Sequence, residues 1–504
     1  MWTLDQPESS YQLTRFLFLR TLGFVCLFAF LALVMQWEPL FGSNGLLPAA
    51  HFLERIHSLS NTGTAVYYQL PTLFWLNYSD SFMKLLAWVG LGLSALLLAG
   101  LANAVSVAVL WAIYLSFVQV GQIFYGYGWE ILLLETLFLT IFLVPPLDPR
   151  PFAPSPPPKT IIWFYRWLAF RLMFGAGLIK LRGDACWHNL TCLMYHFETQ
   201  PIPNEISWWL HQLPPLILQF GVLWNHFIEL VVPFFIFGSR PLRILAAKLM
   251  ISFQVFLIIS GNLSFLNWLT IAVCIPLLDD EELSRFLPER LRSKATLPAD
   301  TNRKITLVRR VVIACVSVLL ILLSAHPVIN MISPGQIMNT SFDPLYLVNT
   351  YGAFGSVGRV RHEIILEGTT DTKLTSETPW KEYEFPAKPG NVHRRPPFIA
   401  PYQPRLDWQI WFAAMSEIER EPWLVHLVYK LLQNDAGTLR LLANNPFPDR
   451  PPAYIEAKLY QYQFTRIGES PGRWWKREWV AIYMPPVALE DPKLKHYLQD
   501  YGLE

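Results

Sequence analysis

The chain has 504 residues, 53% of them hydrophobic, 15% aromatic and only 15% charged, and a mean hydropathy of +0.29. Soluble domains carry about 25% charged residues, so this composition excludes an ordinary soluble globular protein and places the chain among polytopic membrane proteins. Forty basic against 38 acidic residues leave a net charge of +2, which gives no reason to propose nucleic acid as a partner.

The first apolar run, about residues 16–36, is too long and lacks the small-residue pattern of a cleaved signal, so it is expected to persist as a helix. Runs of about 20 apolar residues predict about nine membrane spans, centred near Phe28, Gly92, Tyr114, Leu137, Phe170, Leu230, Phe253, Ile271 and Val316. Arg240, Arg243 and Lys248 flank one connection, and Arg285, Arg290, Arg292, Lys294, Arg303 and Lys304 crowd another. Basic loops stay cytoplasmic, which puts the amino terminus inside and everything after about Ala325 in the lumen or periplasm. Between the fourth and fifth spans, VPPLDPRPFAPSPPPK predicts a stiff, extended cytoplasmic connector. On the other face, NEISWWLHQLPP fits a short interfacial helix anchored by Trp208 and Trp209, or a plain loop with the same anchors.

The fifth span, within FYRWLAFRLMFGAGLIKLRGDACW (Phe164–Trp187), is the chemically informative one. It holds Arg166, Arg171 and Lys180 in an apolar stretch, and each charge at membrane depth costs about 2.5–3.5 kcal/mol on insertion scales unless it is paired or placed in a cavity. Candidate partners are Asn225, His226 and Glu229, which share a helix face in LWNHFIELVVPFF, and Glu130 and Glu135 in the fourth span. Arg166 and Lys180 return to within about 40° of one another around the helix, whereas Arg171 points elsewhere. Two interpretations stand: ion pairs that lock helices together, or a polar intramembrane chamber that binds or transforms a ligand.

After residue 329 the chain takes on soluble character. A transmembrane domain over 1–329 and a lumenal or periplasmic α+β domain over 330–504 are therefore expected. Alternation in RHEIILEG (Arg361–Gly368) and WKEYEF (Trp380–Phe385) predicts strands. LDWQIWFAAMSEIE and PWLVHLVYKLLQN read as helices, the second opened by Pro422. AYIEAKLYQYQFTR and WWKREWVAIYM read as two strands around the turn 468–472.

Cys26, Cys274 and Cys315 fall in spans, where a lone Cys is a small apolar filler. Cys186 and Cys192, in CWHNLTC on the oxidising face, are candidates for a loop-closing disulfide, since the C-x-x-C spacing of oxidoreductases is absent. The sequence has no G-x-S-x-G elbow, H-E-x-x-H pair or Walker loop, and GAFGSVGR lacks nucleotide-site spacing. No cofactor is indicated. His196 and Glu198 are too few to argue for a metal, and a capping or turn role suits them better.

YRWLAFRLMFGAGLIKLRGDACWHNLTC, then HFETQPIPN, NHFIELVVPFF and SGNLSFLNWLT, and later NTYGAFGSVGR, RLDWQIWFAAM, PWLVHLVYKLL and NPFPDRPP, together resemble the lipase maturation factor family over most of the chain from about residue 120. The resemblance implies a multi-pass protein of the endoplasmic reticulum membrane, or of the inner membrane in a bacterium. It implies secreted lipase-like clients and membrane lipids as partners, and a chaperone-like role rather than an enzymatic one. GAGLIKLRGDACW is also similar to a short segment of the vitamin K-dependent gamma-carboxylase and its bacterial relatives. That likeness implies, as an alternative, an intramembrane enzyme with Lys180 as base and the His226/Glu229 pair with Arg166 or Arg171 binding a lipid or quinone-like substrate.

Overall fold

A computed structural model of the chain describes residues 10–59, 65–295 and 306–503; Arg303 and Lys304 of the basic cluster lie outside them. The amino-terminal part is a helical bundle. Helix α1 (Gln12–Phe41) is followed by α2 (Asp80–Ala99), whose N-terminus is capped by the Ser79 side chain. Helix α3 (Ala104–Val120) starts from a reciprocal Asn103/Ser106 capping box. Helix α4 (Gly128–Leu143) leads through the proline-rich connector to α5 (Lys159–Arg182). Helix α6 (Pro215–His226) runs into a π-helical turn (Phe227–Val231) and a 3-10 turn (Val232–Phe237), because Pro233 has no N–H with which to continue the α-ladder. Helices α7 (Arg240–Ser260), α8 (Leu266–Cys274) and α9 (Leu307–Leu323) complete the bundle.

Each of the nine expected centres falls in this helical set, but only five helical segments among the described residues are long and apolar enough to cross a membrane: Gln12–Phe41, Asp80–Ala99, Pro215–Phe237, Arg240–Ser260 and Leu307–Ile332. Of the nine expected spans, five therefore meet this requirement by their own length and composition and four do not, for physical reasons. Helix α4 has 16 residues and α3 has 17, reaching about 24–26 Å at 1.5 Å per residue, short of a hydrocarbon core of about 30 Å. Helix α5 is long enough but carries too much charge. In the fold these are interior helices: Leu132, Leu133, Leu134 and Leu137 of α4 and Ile161, Tyr165, Leu168 and Ala169 of α5 are fully buried.

The carboxy-terminal part is α+β. Strands β1 (Thr340–Ser341) and β2 (Asn349–Thr350) form a minimal antiparallel ladder. A four-stranded antiparallel sheet has the order β4-β3-β5-β6, from β3 (Arg361–Thr369), β4 (Lys381–Glu382), β5 (Tyr454–Phe464) and β6 (Trp475–Val487). The expected strand at 380–385 shrinks to two residues, because Tyr383 makes one more bond to β3 and the chain then leaves to receive Ala443. Helices α10 (Arg405–Ala413) and α11 (Pro422–Leu432) pack between sheet and bundle. Trp408 lies edge-on to Trp129 at 5.1 Å, and Trp423 edge-on to Phe124 at 6.1 Å. A single apolar core therefore runs from the bundle into the carboxy-terminal part.

The Trp208/Trp209 segment is a helix, Glu205–His211, but only Trp209 faces outward. Trp208 is buried against Trp474 and donates to Thr465 Oγ1 at 3.3 Å. The interfacial-anchor expectation is corrected for Trp208: the neighbouring sheet offers its indole both a stacking surface and an acceptor.

Candidate functional site

The three cations of α5 go to three different places. Lys180 Nζ sits 2.6 Å from both carboxylate oxygens of Glu229 and 3.1 Å from Asn225 Oδ1, and Asn225 Nδ2 donates to Glu229 Oε2 at 3.0 Å. All are buried. Asn225 ends α6 and Glu229 occupies the π-helical turn after it, so the wider turn sets the angle at which the carboxylate meets the lysine. The Trp187 ring covers Nζ at 5.1 Å. His226, on the same stretch, turns away to the Trp187 carbonyl at 3.2 Å.

Arg171 pairs with Glu135 of α4 and donates to the Asn349 carbonyl at 2.5 Å. Glu135 also accepts from Asn349 N at 3.0 Å, Asn349 Nδ2 at 3.1 Å and Tyr351 Oη at 2.7 Å. Arg166 has no carboxylate partner among the described residues. It donates to Tyr11 Oη at 2.8 Å and lies 4.6 Å over the Trp163 ring. The expected gathering of Arg166 or Arg171 with Lys180 does not occur. Fourteen residues separate Arg166 from Lys180, so a shared angular face still leaves them about 21 Å apart along the helix.

Glu130 is likewise drawn elsewhere. Its carboxylate accepts from Tyr114, from Trp129 Nε1 at 3.1 Å and from Arg405 of α10 at 2.8 Å, with both members of the ion pair fully buried. Arg405 also donates to the Phe124 carbonyl at 2.6 Å and stacks 3.4 Å over Tyr125. The acid expected to neutralise an intramembrane cation thus ties the carboxy-terminal part to the bundle. A second buried knot, outside the spans, joins Arg361, Glu363 and Lys388, with Glu363 at 2.5 and 2.9 Å from the two cations.

Lys180, Asn225 and Glu229 line a cavity of about 690 Å³ among α5, α6, α7, α8 and the segment 351–356. That segment lies directly on α5. A Cβ at Gly175 would meet the Tyr351 carbonyl at 2.7 Å and one at Gly183 the Gly355 carbonyl at 2.1 Å, so only glycine permits this approach. Asp184 N donates to Gly355 O at 2.8 Å, and Trp187 Nε1 to Phe354 O at 2.9 Å. Cys186 and Cys192 are joined by a disulfide, buried with Trp187, Val222 and Val357. His196 faces the same cavity with its ring edge-on to Phe354 at 4.7 Å, and its pKa is lowered to about 4 by burial and then by the nearby Lys180. Glu198 faces away from it, accepting from Phe464 N at 2.6 Å. Among the described residues no three His, Cys, Asp or Glu side chains gather to hold a metal.

Arg405, Asn349, Tyr351 and Trp187 were not singled out by sequence reasoning. The partners of their side chains lie up to 281 positions away, and the sequence signal for Arg405 was only an Arg opening an apolar helix.

Two family sequence models match, described as the lipase maturation factor transmembrane domain over residues 13–285 and the lipase maturation factor C-terminal domain over residues 347–485. The chain is 45% identical to lipase maturation factor 1 of Mus musculus, over 97% of this chain and 89% of that protein. It is 43% identical to lipase maturation factor 1 of Homo sapiens, over 98% and 90%. It is 33% identical to lipase maturation factor 2 of Xenopus laevis, over 98% and 85%. No solved structure matches the chain.

Proposed function

This chain belongs to the lipase maturation factor family, and we propose that it is a membrane-embedded maturation factor that assists the folding and export of secreted lipase-like clients. The relatives' names supply the client class. The structural feature that carries the proposal is the free edge of the carboxy-terminal sheet. Strand β6 has 13 residues, pairs only with β5 among the described residues, and leaves Trp479 60% and Ile482 47% exposed. Natural proteins usually blunt such an edge with short strands or charges, because it is a template for other unpaired chains. Strand β6 carries blunting residues towards its two ends, Lys476, Arg477 and Glu478 and then Pro485 and Pro486, and between them Trp479 to Met484 offers backbone hydrogen bonds and apolar side chains to a partly folded partner, as in strand-addition recognition.

The bonded pair Cys186–Cys192 packs with Val357, so this loop and the start of the sheet domain share one side of the molecule. Disulfides persist in oxidising compartments. This supports a lumenal placement of that side in the endoplasmic reticulum, or a periplasmic one in a bacterium; the cytoplasmic amino terminus rests separately on the basic loops. In this scheme the Lys180–Glu229–Asn225 and Arg171–Glu135 clusters are scaffold that fixes the bundle under the client-facing domain. The test is Trp479→Lys with Ile482→Lys in a client-secretion assay. Exposed substitutions change stability by about 0.5 kcal/mol or less, so secretion should fall several-fold at unchanged protein level. Full secretion would refute the assignment of the edge.

A further inference from the structure

The cavity beside Lys180 is larger than scaffold packing requires: interiors are close-packed with few voids above the size of a water molecule, and about 690 Å³ lies in the range of small-molecule sites. Its wall is mostly apolar. Among the described residues only two charged side chains line it, Lys180 and Glu229, and they neutralise each other at 2.6 Å. Its mouth includes Ile217, Phe220 and Trp224 along one stripe of α6 and Phe256 of α7, all exposed. Both helices belong to segments long and apolar enough to cross a membrane, so the mouth opens towards acyl chains rather than water.

One polar group on the wall, the His196 ring, is left without a protein hydrogen bond among the described residues. It makes edge contacts with Phe197 and Phe354. The ring, half-buried, lines the cavity, where a ligand can supply that hydrogen bond.

We propose that the cavity binds one neutral, single-chain lipid taken laterally from the bilayer, with its hydroxyl or carbonyl head against His196 and its chain between α6 and α7. An anionic head would have to shed water into an apolar cavity that holds no unpaired cation among the described residues, which is costly. With its low pKa the His196 imidazole is uncharged at neutral pH and adds no attraction for an anion.

The test uses the full chain in lipid nanodiscs with a diazirine-tagged monoacylglycerol as probe and a lysophosphatidate carrying the same tagged chain as comparison. Irradiation should label peptides from 213–229 and 249–260 with the neutral probe, and at least several-fold less with the anionic one. Ala176→Phe and, at the mouth, Leu257→Trp overfill the cavity and should each lower labelling about tenfold. His196→Leu removes one hydrogen bond and should lower it about two- to tenfold. A variant counts only if it elutes as a single species with Cys186 and Cys192 protected from thiol reagents, and either filled variant suffices. Labelling unaffected by the filling substitutions, or equal for both probes, would overturn the proposal.

Discussion

The ion pair between Arg405 and Glu130 offers the sharpest test of how the two parts of the molecule are joined. Both side chains are fully buried and 2.8 Å apart, and removing one partner of such a pair leaves an uncompensated charge that costs about 3–5 kcal/mol. Arg405→Met should fall near the lower end, because Glu130 keeps the hydroxyl of Tyr114 and the indole N–H of Trp129 as donors, but the Phe124 carbonyl and the Tyr125 ring lose their partner. At about 3 kcal/mol, amides of α10 should exchange roughly a hundredfold faster with solvent. Glu130→Gln should cost about 2 kcal/mol, since Arg405 is left charged but still stacked. The double variant should cost about 1–3 kcal/mol less than the sum. Hydrogen exchange read on α10, with α11 as internal reference, measures all three. Single effects below about 0.5 kcal/mol, or strict additivity in the double variant, would show that this pair does not hold the carboxy-terminal part to the bundle.

Cys186→Ser and Cys192→Ser should destabilise the loop equally, by about 2 kcal/mol for so short a closed loop, because each breaks the same bond; thermal unfolding of the two variants side by side would expose any inequality. Asp407 is buried and accepts N–H bonds from Ala387 and Lys388 at 2.7 and 2.8 Å, and burial raises its pKa from 3.8 to about 6. Its folded pKa lies above its unfolded one, so the folded state binds the extra proton between about pH 6 and pH 4 and this group's contribution to stability rises as pH falls through that window. Asp407→Asn should therefore gain up to about 2 kcal/mol at pH 7 and lose that advantage by pH 4; an advantage independent of pH would refute the assignment.

The sequence was most legible where a pattern is local. Apolar runs placed a helix at each of nine centres, and alternation placed β3, β5 and β6, because hydrophobic periodicity is a property of neighbouring residues. The succession of long motifs from the α5 segment to NPFPDRPP carried the family, which the matches over 97–98% of the chain show. What the local pattern could not give was which apolar runs face lipid and which face the interior of the bundle. A run of 16 apolar residues reads alike whether it meets lipid or the interior of a bundle, and the burial of α4 is decided by its neighbours.

Charge at membrane depth announced, from composition alone, that Arg166, Arg171 and Lys180 must be accommodated. The tertiary structure decided how: Lys180 with Glu229 across two helices, Arg171 with Glu135 and the backbone of β2, Arg166 with a tyrosine and a tryptophan, and Glu130 with an arginine from α10. Angular position on a helix is written in residue spacing, but the partner that arrives at a given height is set by how distant segments pack. The same holds for the cavity: its polar residues stand in the sequence, and its empty volume exists only in the spaces that the assembled helices leave between them.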